Sequence, residues 1–173
     1  MSTIVVVWIL PMLLVAAAIT DLTSFTIPNL LTGAMLALFV VFVLAMLLSG
    51  HPMGWHELLL HLAAGLAALI FGMFLFAVGG VGGGDAKFFA MICLWLGWNS
   101  LFQYTTLAMA LGGVLTLALL LLRRMPLPPF LASRPWIVRL VEGKAPVPYG
   151  IALAVAAIGI LPDTELFRLA ATA

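Results

Sequence analysis

The sequence predicts an all-α fold: a polytopic membrane protein of six transmembrane helices forming a single domain over residues 1–173. Three observations predict it. Hydrophobic residues make up 65% of the chain and charged residues only 8%, far from the composition of a soluble domain. The apolar residues fall into runs near the length needed to cross a bilayer, about 20 residues. Short stretches bearing Pro, Gly and polar residues separate those runs.

Taken in order, the first span covers about residues 4–20. Ala16-Ala17-Ala18 resembles a signal-cleavage site, but no cationic stretch precedes it, so a retained span is expected. The connector Asp21 to Asn29 follows, and Pro28 stands where the next helix should begin, as proline does in a first turn. The second span is expected at about 30–48 and the third at about 58–78, joined through Gly50, Pro52 and Gly54. Ala64, Ala68 and Gly72, four apart, would let a neighbouring helix approach closely, although chance alanine richness gives the same pattern. A glycine loop leads to a short fourth span at about 86–98, with Trp95 and Trp98 placed as an interfacial aromatic belt would be. Asn99-Ser100 is expected as a minimal turn before the fifth span, 101–122, which Arg123 and Arg124 stop. The loop 123–147 is basic and rich in proline, and its Trp136, Ile137, Val138, Leu140 and Val141 suggest a short amphipathic piece on the membrane surface. The sixth span, 148–161, is interrupted by Pro162 and Asp163, beyond which the chain frays or continues at the interface.

Composition also excludes functions. A net charge of +1 gives no nucleic-acid footprint. The single cysteine, Cys93, allows no internal disulfide and no cysteine cluster for zinc, and its apolar setting suits a buried small hydrophobe. His51, His56 and His61 are spaced by five, which does not align them on a helix face, and Ser49 to Glu57 reads as a polar connector. No metal and no cofactor are expected.

The cations fix the expected orientation. With the termini outside, the inner connectors 21–29, 79–87 and 123–147 hold Lys87, Arg123, Arg124, Arg134, Arg139 and Lys144, leaving only Arg168 outside. The positive-inside rule therefore places both termini on the non-cytoplasmic face and the loop 123–147 in the cytoplasm. It also brings Asp21 and Asp85 to the same face and depth. A carboxylate within a span costs about 2.5–3.5 kcal/mol at the helix centre, so such a residue points to function and to a partner.

Two carboxylates at one depth suit acid–base hydrolysis: one activates a water, and the other, protonated, polarises a scissile carbonyl. The helix dipole at the end of span one disfavours negative charge at Asp21, and that at the start of span four favours it at Asp85. This assigns Asp85 as base and Asp21 as acid, within a pair that titrates as a unit. The residues alone leave two plainer readings open: Asp21 as a solvated loop residue and Asp85 as a helix N-cap.

Gly82-Gly83-Gly84-Asp85 with Ala86-Lys87 is a Gly-x-Gly-Asp motif that closely resembles the signature of type IV prepilin peptidases. Asp21 followed by Ile27-Pro28-Asn29 resembles their first motif, and Val147-Pro148-Tyr149-Gly150 resembles the Pro-aromatic-Gly motif that opens their last span. All three occur in order, across essentially the whole chain. The resemblance implies an intramembrane aspartic endopeptidase of the bacterial inner membrane. It would remove the basic leader of a prepilin or pseudopilin after a Gly, at the cytoplasmic face, with both termini periplasmic. It implies Asp21 and Asp85 as the catalytic pair. Gly82 and Gly84 would leave room for an extended substrate, with Pro28, Asn29, Pro148, Tyr149 and Gly150 supporting the site. Lys87 either tunes Asp85, orients substrate, or snorkels to the headgroups. Larger members carry an N-terminal segment with paired Cys-x-x-Cys motifs linked to N-methylation. Cys93 stands alone here, so the chain resembles the minimal peptidase-only form associated with Flp/Tad-type pili. The implied partners are the prepilin, the lipid bilayer and the pilus or secretion machinery.

Rival readings are an ion-coupled carrier using Asp21 and Asp85 as relay groups, and a non-catalytic assembly factor of a pilus or secretion system. A carrier would hold its carboxylates near the midplane between matching halves. A presenilin-like protease shares Gly-x-Gly-Asp, but the Ile27-Pro28-Asn29 run fits the prepilin group better.

Overall fold

The computed structural model describes residues 4–50, 53–125, 134–141 and 145–172. Among these the regular structure is all helical. A π-helical segment, Val5–Ile9, runs into α1 (Leu10–Ser24), followed by α2 (Asn29–Leu48), α3 (Trp55–Ala77), α4 (Gly83–Leu96) and α5 (Trp98–Leu122). Then come α6 (Pro135–Val141), α7 (Tyr149–Ile160), a 3₁₀ turn (Leu161–Asp163) and α8 (Glu165–Thr172).

Four of the six expected spans are long and apolar enough to cross a membrane: Val5–Ser24, α2, α3 and α5, of 20, 20, 23 and 25 residues. At 1.5 Å per residue they reach about 30–37 Å. The other two are short. Helix α4 has 14 residues and α7 has 12, about 21 and 18 Å of helix, less than a hydrocarbon core.

These short helices lie inside. Helix α4 packs against α2, α3, α5 and α7, and α7 against α1, α4 and α5. Almost every residue of α4 from Ala86 to Leu96 is buried or half-buried, as befits a helix apolar on all sides. The long helices present the opposite pattern: Leu48, Phe102 and Met109 are among many large apolar side chains turned outward. In lipid such exposure carries no penalty, and close packing rather than hydrophobicity must hold the helices together.

Small residues supply that packing. Ala64, Gly65, Ala68 and Gly72 form the face of α3 that meets α4, the most extensive helix pair. A Cβ at Gly65 would lie 3.0 Å from Leu94 Cβ, and one at Gly72 would lie 3.0 Å from Ala86 Cβ. The four-residue spacing of Ala64, Ala68 and Gly72 is thus an interface.

Several expectations are corrected. Helix α1 does not end before Asp21 but continues to Ser24, so Asp21 lies in its last turn. The hydroxyls of Thr20, Thr23 and Ser24 donate back to the carbonyls of Ala17, Ile19 and Thr20 at 2.9, 2.8 and 2.6 Å, which satisfies them without leaving the helix. The break before α5 is Gly97 (φ 78°), with Asn99 and Ser100 already helical. Only glycine fits there, because a Cβ would stand 2.9 Å from the His61 ring. His56, expected in the connector, lies in the first turn of α3; His61 lies further along α3, and its Nδ1 is 2.9 Å from Leu94 O. Trp95 is no belt residue: it is 1% exposed, donates Nε1–H to Met35 O at 3.1 Å and stands edge-on to Phe39. His51 lies outside the described residues.

Helix α6 forms where the amphipathic piece was expected. Arg123 ties it down, donating from Nε to Leu140 O and from Nη2 to Ala145 O at 3.2 and 2.9 Å. At the other end of the molecule Thr164 Oγ1 accepts from Phe167 N at 3.2 Å and starts α8, which folds back against the N-terminal π segment.

Gly72→Leu should push α3 from α4 and cost about 1–3 kcal/mol of stability. Gly113→Leu, on α5 where a Cβ meets nothing within 4 Å, is the control. Thermal unfolding in detergent should show a lower midpoint for the first variant alone.

Candidate active site

Three chain segments distant in sequence meet at one end of the bundle. The first is the end of α1. Asp21 is 4% exposed, and its Oδ2 accepts a hydrogen bond of 2.7 Å from the backbone N–H of Gly150, 129 residues away. One turn later Phe25 takes a left-handed conformation (φ 55°), the one non-glycine among the described residues to do so, while its N–H still bonds to Asp21 O at 2.8 Å. For a bulky residue this costs about 1–2 kcal/mol. It stops the helix and turns the chain so that Thr26-Ile27-Pro28 runs back beside the aspartate.

The second segment is the glycine loop and the first turn of α4. Gly82 is its N-cap, and Asp85 falls in its first turn, where the helix dipole suits a carboxylate. The Asp85 carboxylate folds back toward Gly82: a Cβ at Gly82 would lie 3.0 Å from Asp85 Oδ2. Asp85 Oδ1 is enclosed and has no hydrogen-bond partner among the described residues. The Asp21 carboxylate is near enough to act on it electrostatically.

The third segment is the start of α7. Pro148 is its buried N-cap, and Gly150 lies against both earlier segments. A Cβ at Gly150 would stand 2.8 Å from Asp21 Oδ2 and 3.0 Å from Ile27 Cδ1. Ile27 also meets Gly84, where a Cβ would lie 3.4 Å from Ile27 N. Ile27 is thus the wedge between all three motifs, and the glycine at 150 is what lets it fit.

Of the residues singled out in the sequence, Asp21, Asp85, Gly82, Gly84 and Gly150 come together here. Lys87 and Asn29 form a clasp across the rim, Lys87 Nζ donating to Asn29 Oδ1 at 3.1 Å, so the lysine is bound to the Ile27-Pro28-Asn29 run. Pro28 is exposed and caps α2. Tyr149 turns away: its ring packs on Gly112 and its hydroxyl lies 3.2 Å from Thr116 Oγ1, on α5. Two contributors were not singled out individually. Ile27 was visible only as part of its run, and nothing in the sequence marks Phe25 as a positive-φ residue. Among the described residues no three His, Cys, Asp or Glu side chains converge to hold a metal.

Two enclosed carboxylates near each other, one held by an amide and one with a free oxygen, can bind a water and share a proton. That is the protonation pattern hydrolysis of a peptide requires.

A model of the type IV leader peptidase family matches residues 8–117, which include Asp21, the Ile27-Pro28-Asn29 run and the Gly-rich stretch with Asp85. No curated protein and no solved structure matches the chain.

Two structural predictions follow from the contacts. Gly150→Ala should break the Asp21 bond by collision and lower stability by about 1–3 kcal/mol in thermal unfolding. Lys87→Met and Asn29→Leu should each loosen the rim, and together they should cost no more than either alone. A coupling of about 1 kcal/mol in a double-mutant cycle would report the clasp.

Proposed function

The chain belongs to the type IV leader peptidase family, and from that premise we propose that it is an aspartic endopeptidase with Asp21 and Asp85 as its catalytic pair. Its substrate is a Flp-like prepilin or pseudopilin, whose basic leader it removes after a glycine. The observation that carries this reading is the meeting of the two carboxylates. They arrive from different helices, Asp21 anchored by Gly150 N–H and Asp85 with no partner for Oδ1 among the described residues.

In the proposed mechanism Asp85, ionised, takes a proton from a water bound at Oδ1, and the water oxygen attacks the scissile carbonyl carbon. Asp21, whose Oδ2 is occupied by Gly150, presents its other oxygen, protonated, to the carbonyl oxygen. The tetrahedral intermediate collapses with cleavage of the C–N bond, and Asp85 returns its proton to the leaving amine. Lys87, Asn29, Pro28 and Pro148 serve as supports of this geometry. Tyr149 acts at one remove, by fixing the start of α7 to α5.

The membrane arrangement proposed is six spans in the bacterial inner membrane, both termini periplasmic and the site at the cytoplasmic face. The distribution of cations supports it: Lys87 in the first turns of α4, Arg123 and Arg124 at the end of α5, and Arg134 and Arg139 at α6. The short helices α4 and α7 then complete the count as inner spans.

The test is cleavage of a purified prepilin in detergent or lipid, followed by gel shift and mass. Wild type should release the leader after a glycine. Asp21→Asn and Asp85→Asn, with unchanged thermal unfolding, should each lose about a thousandfold or more in rate. Cleavage surviving in either folded variant would mean that the wrong carboxylates have been paired.

A further inference from the structure

A helix cannot be cut while its peptide groups are bonded to one another. The segment around the scissile bond must be extended, and each peptide group so freed needs a new partner. In a water-poor setting an unpaired one costs several kcal/mol. The enzyme must therefore offer backbone or side-chain groups beside its carboxylates, and in the unliganded protein those groups should be visible as unpaired.

One residue at the site has this character. Ile27 is 7% exposed, yet neither its N–H nor its C=O has a hydrogen-bond partner among the described residues. More than nine in ten buried backbone groups in folded proteins are paired. The orphan peptide edge lies against Gly84, which precedes Asp85, while the Ile27 side chain reaches Gly150, which bonds Asp21.

The segment carrying it is held ready. Upstream, Phe25 N–H bonds to Asp21 O at 2.8 Å. Downstream, Pro28 is extended (φ −60°, ψ 138°), its carbonyl accepts from Leu31 N at 3.0 Å, and Asn29 is clasped by Lys87. The run between is thus pinned at both ends with its middle residue unsatisfied. In an extended chain the N–H and C=O of one residue point to the same side, so a single facing residue can take both bonds.

Gly84 keeps this edge clear, since a Cβ there would stand 3.4 Å from Ile27 N and 3.7 Å from Ile27 O. Another non-helical run at the site, 145–148, cannot serve in the same way, because Pro146 and Pro148 have no N–H to donate.

We infer that Ile27 is a backbone docking edge: the substrate binds beside it as a short extended strand, one residue of which exchanges both main-chain hydrogen bonds with Ile27. This rests on the peptidase reading above and deepens it. Recognition there is of the main chain, so side chains at the facing position are tolerated and proline is refused.

The probe is a synthetic peptide with a basic leader, a glycine and the first part of an apolar helix, presented in detergent to the full-length protein. A set of variants replaces one backbone amide at a time by an ester, which removes an N–H with little change in shape. First, the unmodified peptide should be cleaved by wild type and by neither Asp21→Asn nor Asp85→Asn. Failure at this step removes the peptidase activity and the docking edge with it. Given cleavage, one ester near the scissile bond should lower kcat/KM about tenfold, chiefly through KM, with its immediate neighbours nearly unaffected. Gly84→Ala, which covers the edge, should raise KM for the unmodified peptide and abolish the penalty of that ester. Uniform tolerance of esters, an equal loss at consecutive positions, or an ester penalty unchanged in Gly84→Ala would each overturn the docking edge while leaving the peptidase intact.

Discussion

The hydrogen bond from Gly150 N–H to Asp21 joins the first helix to the seventh, and the geometry at that end of the bundle depends on it. An unpaired carboxylate in this setting would be costly, and a bare amide at the start of α7 would be little better. Each satisfies the other. The bond has a steric condition, since any side chain at 150 would occupy the place of the carboxylate oxygen. Ile27 then fills the angle between them and faces Gly84. The site is therefore assembled by residues that lack side chains as much as by those that have them.

The same economy governs the body of the fold. In a bilayer, burying a leucine between helices gains little over leaving it in lipid, so association favours surfaces that let backbones approach. The α3 face of Ala64, Gly65, Ala68 and Gly72 does this for α4, and Gly112 does it for Tyr149. Directional bonds are few and lie at specific levels: Trp95 to Met35, His61 to Leu94, Tyr104 to Leu153. Each ties α4, α3 or α5 to a carbonyl of a neighbouring helix, which fixes rotation and register where packing alone would permit sliding.

Much of this was legible in the sequence because the solvent is simple. Hydropathy alone located every helix of the bundle to within a few residues, and the charges marked where the chain leaves it. The three motifs were visible as runs, and two of them fall within the family match. What was not legible has common physical causes. Helix ends in a membrane protein are set by local hydroxyl bonding and by single glycines, so α1 overran Asp21 and α5 began at Trp98. A tryptophan near a helix end reads as interfacial unless its partner carbonyl is known, and Met35 lies sixty residues from Trp95. That the two short helices lie inside the bundle was not legible, because a buried helix is apolar whether or not it crosses the whole bilayer. The strained turn at Phe25 leaves no mark at all in the sequence.

The shortness of α7 has a consequence for the medium in which these carboxylates sit. Tyr149, at the start of α7, is level with Gly112 and Thr116 of α5, yet α5 continues to Leu122. Those last six residues rise about 9 Å above the start of α7. The aspartates therefore lie at the bottom of a step rather than at the rim. Where the long helices span a bilayer, the wetness of that step depends on how deeply the headgroups sag into it. The effective dielectric around the pair becomes partly a property of the lipid, so a membrane of different thickness amounts to a different solvent for the same residues.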